Sequence, residues 1–95
     1  MPRPPKLSDD DVSAALAGLP GWSGVGEMIE KTFERSSFAA AIAFVVQIGF
    51  LAEAADHHPD LDIRWRRVRI ALTTHDSQGL TENDIDLARQ IEEIA

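Results

Sequence analysis

The chain has 95 residues, 26% of them charged and 44% hydrophobic, with no cysteine and a formal net charge of −7. One domain of this size buries only about 60–65% of its unfolded surface, so it lies near the small end of self-sufficient folding and gains from association with copies of itself. The lack of thiols excludes a disulfide framework and a thiolate metal site, the acidic balance opposes nucleic-acid binding, and without a charged-then-apolar leader the expected location is cytoplasmic.

Residues 1–6 are proline-rich with nothing apolar to bury and read as a flexible tail, leaving 7–95 as one domain. Ser8 then reads as the N-cap of a first helix. Asp9, Asp10 and Asp11 sit in its first turn, where the helix dipole favours acids, Leu7 and Val12 are spaced as a hydrophobic staple, and Gly18-Leu19-Pro20 ends it. A first β-hairpin follows from Gly21-Trp22, with its turn at Gly24-Val25-Gly26. In its second strand Ile29, Lys31 and Phe33 alternate with Met28, Glu30, Thr32 and Glu34. Trp22, at a strand edge, reads as a core anchor.

Ser36 or Ser37 caps a second helix running to about Asp56, and between Phe38 and Ala52 its only polar side chain is Gln47. These residues fall short of the ~20 that span a bilayer, so the helix reads as a central core element or an oligomer contact. At Gly49 the missing side chain would let another backbone approach. Pro59 disfavours helical geometry at His58, so the helix releases the chain at His57-His58.

Leu61, Ile63 and Trp65 alternate in one phase and Val68, Ile70 and Leu72 in the other, which predicts a second hairpin. A turn centred between Arg66 and Arg67 pairs Trp65 with Val68, Ile63 with Ile70 and Leu61 with Leu72, all on one face, and carried outward sets His58 opposite His75. Because two arginines would both need positive φ, a longer loop with the same centre is expected. The basic run Arg64, Arg66, Arg67, Arg69 reads as the solvated outer face and turn of this hairpin. Asp76-Ser77-Gln78-Gly79 is a turn. Thr81 with Asp84 forms a capping box, and a last helix turns Ile85, Ala88, Ile91 and Ile94 inward.

The order α-β-β-α-β-β-α predicts a two-layer α+β fold, a four-stranded antiparallel sheet from two hairpins with helices packed on one face. The chain's three histidines, His57, His58 and His75, gather at one rim of it. Histidine can both donate and accept a proton near neutral pH, which suits an elimination of water: an acid protonates the departing hydroxyl and a base removes a proton from the neighbouring atom. Glu53, four residues before His57, is spaced to orient its imidazole if the helix persists, and Asp56 to do the same for a neighbour. Three histidines can also hold a catalytic metal, but His57 and His58 as strand neighbours point to opposite sides, so no metal is expected.

Glu53-x3-His57-His58-Pro59, the aromatic Trp65, His75 ten positions beyond it, and Gly79-Leu80-Thr81-x2-Asp84 resemble the signature of the pterin-4a-carbinolamine dehydratases. The resemblance runs from Gly21-Trp22 to the C-terminus. It implies dehydration of a 4a-hydroxytetrahydropterin, the product of pterin-dependent aromatic amino-acid hydroxylases, to quinonoid dihydropterin and water. The pterin is then the substrate, and no cofactor or metal is implied. His57, His58 and His75 become the catalytic residues, His58 and His57 as acids and His75 as the base or pterin-orienting partner. Glu53 and Asp84 support them, and Pro59 and Trp65 contact substrate. Departures fall at Leu61, where many members carry tryptophan, and at Trp65, which stands at a tyrosine-like position. A competing expectation is a non-catalytic interaction module, since some animal relatives also act as dimerisation cofactors of a homeodomain transcription factor. The apolar helix 38–52 suits that role as well as a homodimer or homotetramer.

Overall fold

A computed structural model describes residues 4–95 and contains α1 (Asp9–Ala17), β1 (Ser23–Val25), β2 (Met28–Glu34), α2 (Phe38–Ala55), β3 (Asp60–Arg64), β4 (Arg67–Leu72), a 3-10 turn at His75–Ser77 and α3 (Glu82–Ile94). The predicted order is observed, and the strands form one antiparallel sheet in the order β1-β2-β4-β3.

Each helix begins at the cap its local sequence provides. Ser8 accepts the Asp11 N–H and Ser37 accepts the Ala40 N–H, each satisfying a donor that the first turn leaves without a partner. At α3 the capping box is complete, with the Thr81 hydroxyl accepting from Asn83 N–H and the Asp84 carboxylate accepting from Thr81 N–H. Residue Asp56 ends α2 in the left-handed region at φ 50, and its N–H returns to the carbonyls of Ala52 and Glu53.

One sheet face carries Ile29, Phe33, Val68, Ile70 and Leu72, all buried against Ala41, Phe44 and Ile48 of α2 and Ile85, Ala88 and Ile91 of α3. Phe33 stands edge-on between Trp22 and Phe44, the geometry that aromatic quadrupoles favour. As expected, Trp22 is a core anchor, and its indole N–H donates to Glu92 at 2.8 Å. The opposite face is polar: Arg69 pairs with Glu30, Arg66 with Glu34 and Arg64 with Asp62, so these arginines form a solvated, ion-paired surface.

Four expectations are corrected. The first turn lies at Gly26-Glu27, beyond the predicted Gly24-Val25-Gly26, because Val25 still pairs with Met28 and Gly26 supplies the positive φ of 61 that the reversal needs. The second turn is a two-residue loop at Trp65-Arg66, closed by Arg64 opposite Arg67, with Trp65 at φ 56. Pairing therefore shifts to Leu61 with Ile70 and Ile63 with Val68. A shift of two keeps every side chain on its predicted face, and it sets Asp62 opposite Arg69, where the expected register would have set Arg64 against that arginine. Of the predicted loose tail, residues 1–3 lie outside the described residues, and Pro4 is held, its carbonyl accepting from the Ser77 hydroxyl at 2.6 Å, while Leu7, the first residue of the expected domain, donates its N–H to Leu80 at 2.8 Å. Finally, Gly49 is exposed, and within this chain nothing comes near a side chain placed there.

Candidate active site

The junction between α2 and β3 and the segment leaving β4 meet at one end of the sheet. There His57, His58 and His75 line a single cavity of about 240 Å³ together with Asp56, Thr73, Thr74 and Asp76. The convergence anticipated from the sequence is therefore present, although the strands stop at Asp60 and Leu72 and no strand pairing joins His58 to His75. The left-handed conformation of Asp56 breaks the helix one residue before His57, which sends the two adjacent histidines into different surroundings.

His57 is buried, and its Nε2 lies 2.5 Å from Asp84 Oδ1. Asp84 is itself fully buried, and its second oxygen accepts from the Thr74 hydroxyl at 2.8 Å and from the Thr81 N–H at 2.9 Å. The Thr74 and Thr81 hydroxyls also lie 2.8 Å apart. An ionised carboxylate only accepts hydrogen bonds, so in this arrangement Nε2 of His57 carries the hydrogen. The imidazole is thus fixed in orientation and tautomer by a carboxylate that is fixed in its turn.

His58 is exposed, and its Nε2 lies 2.7 Å from Glu53 Oε1, also exposed. This exchanges the partnership expected from helical spacing. The helix ends at Ala55, so Glu53 orients His58, and Asp84 takes the place beside His57. His75 opens the 3-10 turn and is exposed, and among the described residues no side chain hydrogen-bonds its ring. The site therefore offers one braced, buried imidazole and two accessible ones.

Thr74 joins the site by donating its hydroxyl to Asp84, and the sequence marks it poorly. Its only sequence signal is a hydroxyl two residues after the buried Leu72, on the same side of the chain, which a threonine in an exposed strand end would share. Pro59 and Trp65, expected to contact substrate, do not line this cavity. Trp65 is 72% exposed at the far turn of the β3–β4 hairpin, roughly 20 Å along the strand from His58, with Arg66 over its ring. Within this chain it does not reach the histidines. Among the described residues no group of three histidines, aspartates or glutamates is arranged to hold a metal ion.

The fold and this cavity define a small α+β domain that gathers three imidazoles around one cavity at one end of an antiparallel sheet. Residues 5–94 match the family described as pterin 4 alpha carbinolamine dehydratase, and the chain belongs to that family. A protein of Roseiflexus sp. strain RS-1 that carries this dehydratase name provisionally is 58% identical over 89 residues, covering 94% of this chain and 96% of that one. The crystal structure of a transcriptional coactivator/pterin dehydratase from Brucella melitensis superposes with a TM-score of 0.92 at 37% identity, covering 95% of this chain and 98% of that one. A pterin dehydratase-like protein described as a RuBisCO assembly factor in the alpha-carboxysome gives a TM-score of 0.65 at 25% identity, covering 78% and 86% respectively.

Proposed function

We propose that this protein dehydrates a 4a-hydroxytetrahydropterin to quinonoid dihydropterin and water by histidine acid–base catalysis, recycling the cofactor of aromatic amino-acid hydroxylases. The observation that carries the reading is the convergence of His57, His58 and His75 on one open cavity, with a buried carboxylate bracing the first of them. In the reaction the C4a–O bond breaks as a proton reaches the hydroxyl, the N5 proton leaves, and the electron pair of the N5–H bond forms the C4a=N5 double bond. Protons balance and no electrons are exchanged, so the step calls for no redox cofactor, and imidazoles can serve as its acid and base groups. His58, accessible and oriented by Glu53, and His57, held by Asp84, serve as the acids in their protonated form, each donating from Nδ1 because Nε2 is engaged by its carboxylate, and His75 takes the N5 proton. Asp84 and Glu53 are positioning residues. The test is turnover of freshly generated 4a-carbinolamine by the wild-type protein and by His57→Ala/His58→Ala, where an unchanged rate in the double variant would end the assignment.

A second copy of the chain covers α2. Phe38, Ile42, Val46 and Phe50 recur every four residues along this helix and are exposed, Phe50 by 73%. Its opposite face, Ala41, Phe44, Ile48 and Ala52, is built into the core. By length and composition α2 would also cross a bilayer. Its membership of the two-layer core favours a homodimer or homotetramer in the cytoplasm over a membrane or nucleic acid as partner. The same stripe keeps a second reading alive, an interaction module of the coactivator kind, and the names of the two solved relatives favour weighing it. That reading requires a hetero-complex that survives replacement of all three histidines by alanine.

A further inference from the structure

The three histidines are not held alike. Asp84 stands against Nε2 of His57 and Glu53 against Nε2 of His58, whereas among the described residues nothing hydrogen-bonds the ring of His75. The place of that ring is therefore set by the backbone of its turn. Within the turn the backbone bonds close on themselves, Ser77 N–H donating to Thr74, Gln78 N–H to His75 and Thr74 N–H to Gly79. Gln78 stands at φ 56, a left-handed conformation that costs energy for a residue with a Cβ. His75 also lines a second cavity, of about 460 Å³, together with Gln78 and Gly79, so a shift of the turn would alter both spaces.

What lies across this turn is the proline-rich start of the chain. The Ser77 hydroxyl donates to the Pro4 carbonyl at 2.6 Å, and Leu7 N–H donates to the Leu80 carbonyl at 2.8 Å. Between these two bonds the stem of Lys6 lies over Gly79, so closely that a Cβ at Gly79 would stand 2.5 Å from Lys6 Cε. Leu7 packs against the core and Ser8 caps α1, which anchors one end of the segment. Pro4 and Pro5 have φ locked by their rings and carry no N–H, so the segment loses little backbone freedom on docking and strands no donor.

We propose that residues 4–7 are a strap that fixes the turn carrying His75, and that Ser77 is a positioning residue for that imidazole. The effect on rate rests on the dehydratase reading. A base acts only within hydrogen-bond reach of the proton it takes, and small misplacements of a reacting group are costly.

Stopped-flow turnover of 4a-carbinolamine and backbone ¹⁵N relaxation, on the full chain, test this together. Ser77→Ala is expected to lower kcat about three- to tenfold, the effect of one neutral hydrogen bond, and to lower the order parameters of amides 75–79 while those of α2 and the sheet stay as they are. Ser77→Thr, which keeps the hydroxyl, should restore both. Pro4→Gly with Pro5→Gly leaves the hydroxyl in place and loosens the strap, so it should move both readouts in the same direction by less. In a His75→Ala background Ser77→Ala should lower kcat no further. An equal fold loss with and without His75, or unchanged order parameters at 75–79 in both loosened variants, would overturn the strap. A wild-type protein without turnover removes the dehydratase and leaves relaxation to decide: more mobile amides at 75–79 in Ser77→Ala would support the strap, and unchanged ones would overturn it.

Discussion

His57 and Asp84, 27 residues apart in the chain, meet at 2.5 Å through Nε2 and Oδ1, and the same carboxylate closes the capping box that starts α3. One buried side chain therefore carries both the geometry of a site residue and the start of a helix. Replacing Asp84 should move stability and activity together.

Asp84→Ala removes the cap partner and leaves the buried Thr81 N–H and His57 Nε2 short of an acceptor. The expected cost is about 2–4 kcal/mol, from one lost cap and the desolvation of unsatisfied donors. Denaturant unfolding measures it. Asp84→Asn keeps one carbonyl oxygen but loses the charge, so it should fall between, with a decrease in kcat on the order of 10–100-fold, as when a group that orients a histidine is altered.

Glu53→Ala separates the two functions. The Glu53–His58 pair is solvent-exposed, and exposed pairs contribute little, so the unfolding free energy should change by less than about 1 kcal/mol. A decrease in kcat without a change in stability would mark Glu53 as the residue that orients His58. Unchanged kcat and KM would leave it a surface carboxylate.

The histidines themselves should matter unequally. General acid–base groups typically contribute about 10²- to 10⁴-fold, and His57→Ala/His58→Ala is expected to lose rate in that range in a stopped-flow assay of 4a-carbinolamine decay. His58→Ala and His75→Ala should fold as the wild type because both rings are exposed, whereas His57→Ala, by leaving the buried Oδ1 of Asp84 without its partner, should also lower the thermal midpoint.

The stripe on α2 predicts an assembly. Val46→Lys with Phe50→Lys places two charges on an exposed face and none in the core, so the protein should stay folded by circular dichroism. Its light-scattering mass should drop to that of the 10.4 kDa chain. A wild-type mass already equal to the monomer would show that nothing covers the stripe.

Trp65 carries a measurable conformational cost. A bulky residue at φ 56 is disfavoured by about 1–2 kcal/mol, and asparagine tolerates that region better. Trp65→Asn should therefore raise the thermal midpoint by a few degrees for a domain of this size. No rise would mean that the contact of Arg66 with the indole ring offsets the backbone cost.

The sequence by itself determined what depends on neighbours a few residues away. Ser8, Ser37 and Thr81 cap their helices because a cap bond spans two or three residues, and the two phases of alternation around residue 66 fix which side chains face the helices, since a strand repeats every second residue. From these the element order follows, and with it the meeting of the three histidines at one end of the sheet. Only the tertiary structure decided which carboxylate serves which imidazole. Spacing favoured Glu53 beside His57, yet the left-handed residue Asp56 ends α2 too early for that, and packing of α3 brings Asp84 there instead. The docking of Pro4 on Ser77 and the second cavity beside His75 were hidden for the same reason. Each depends on contacts between distant segments, whose energies are set by how the helices and sheet pack and leave no period or local hydrogen bond in the sequence to read.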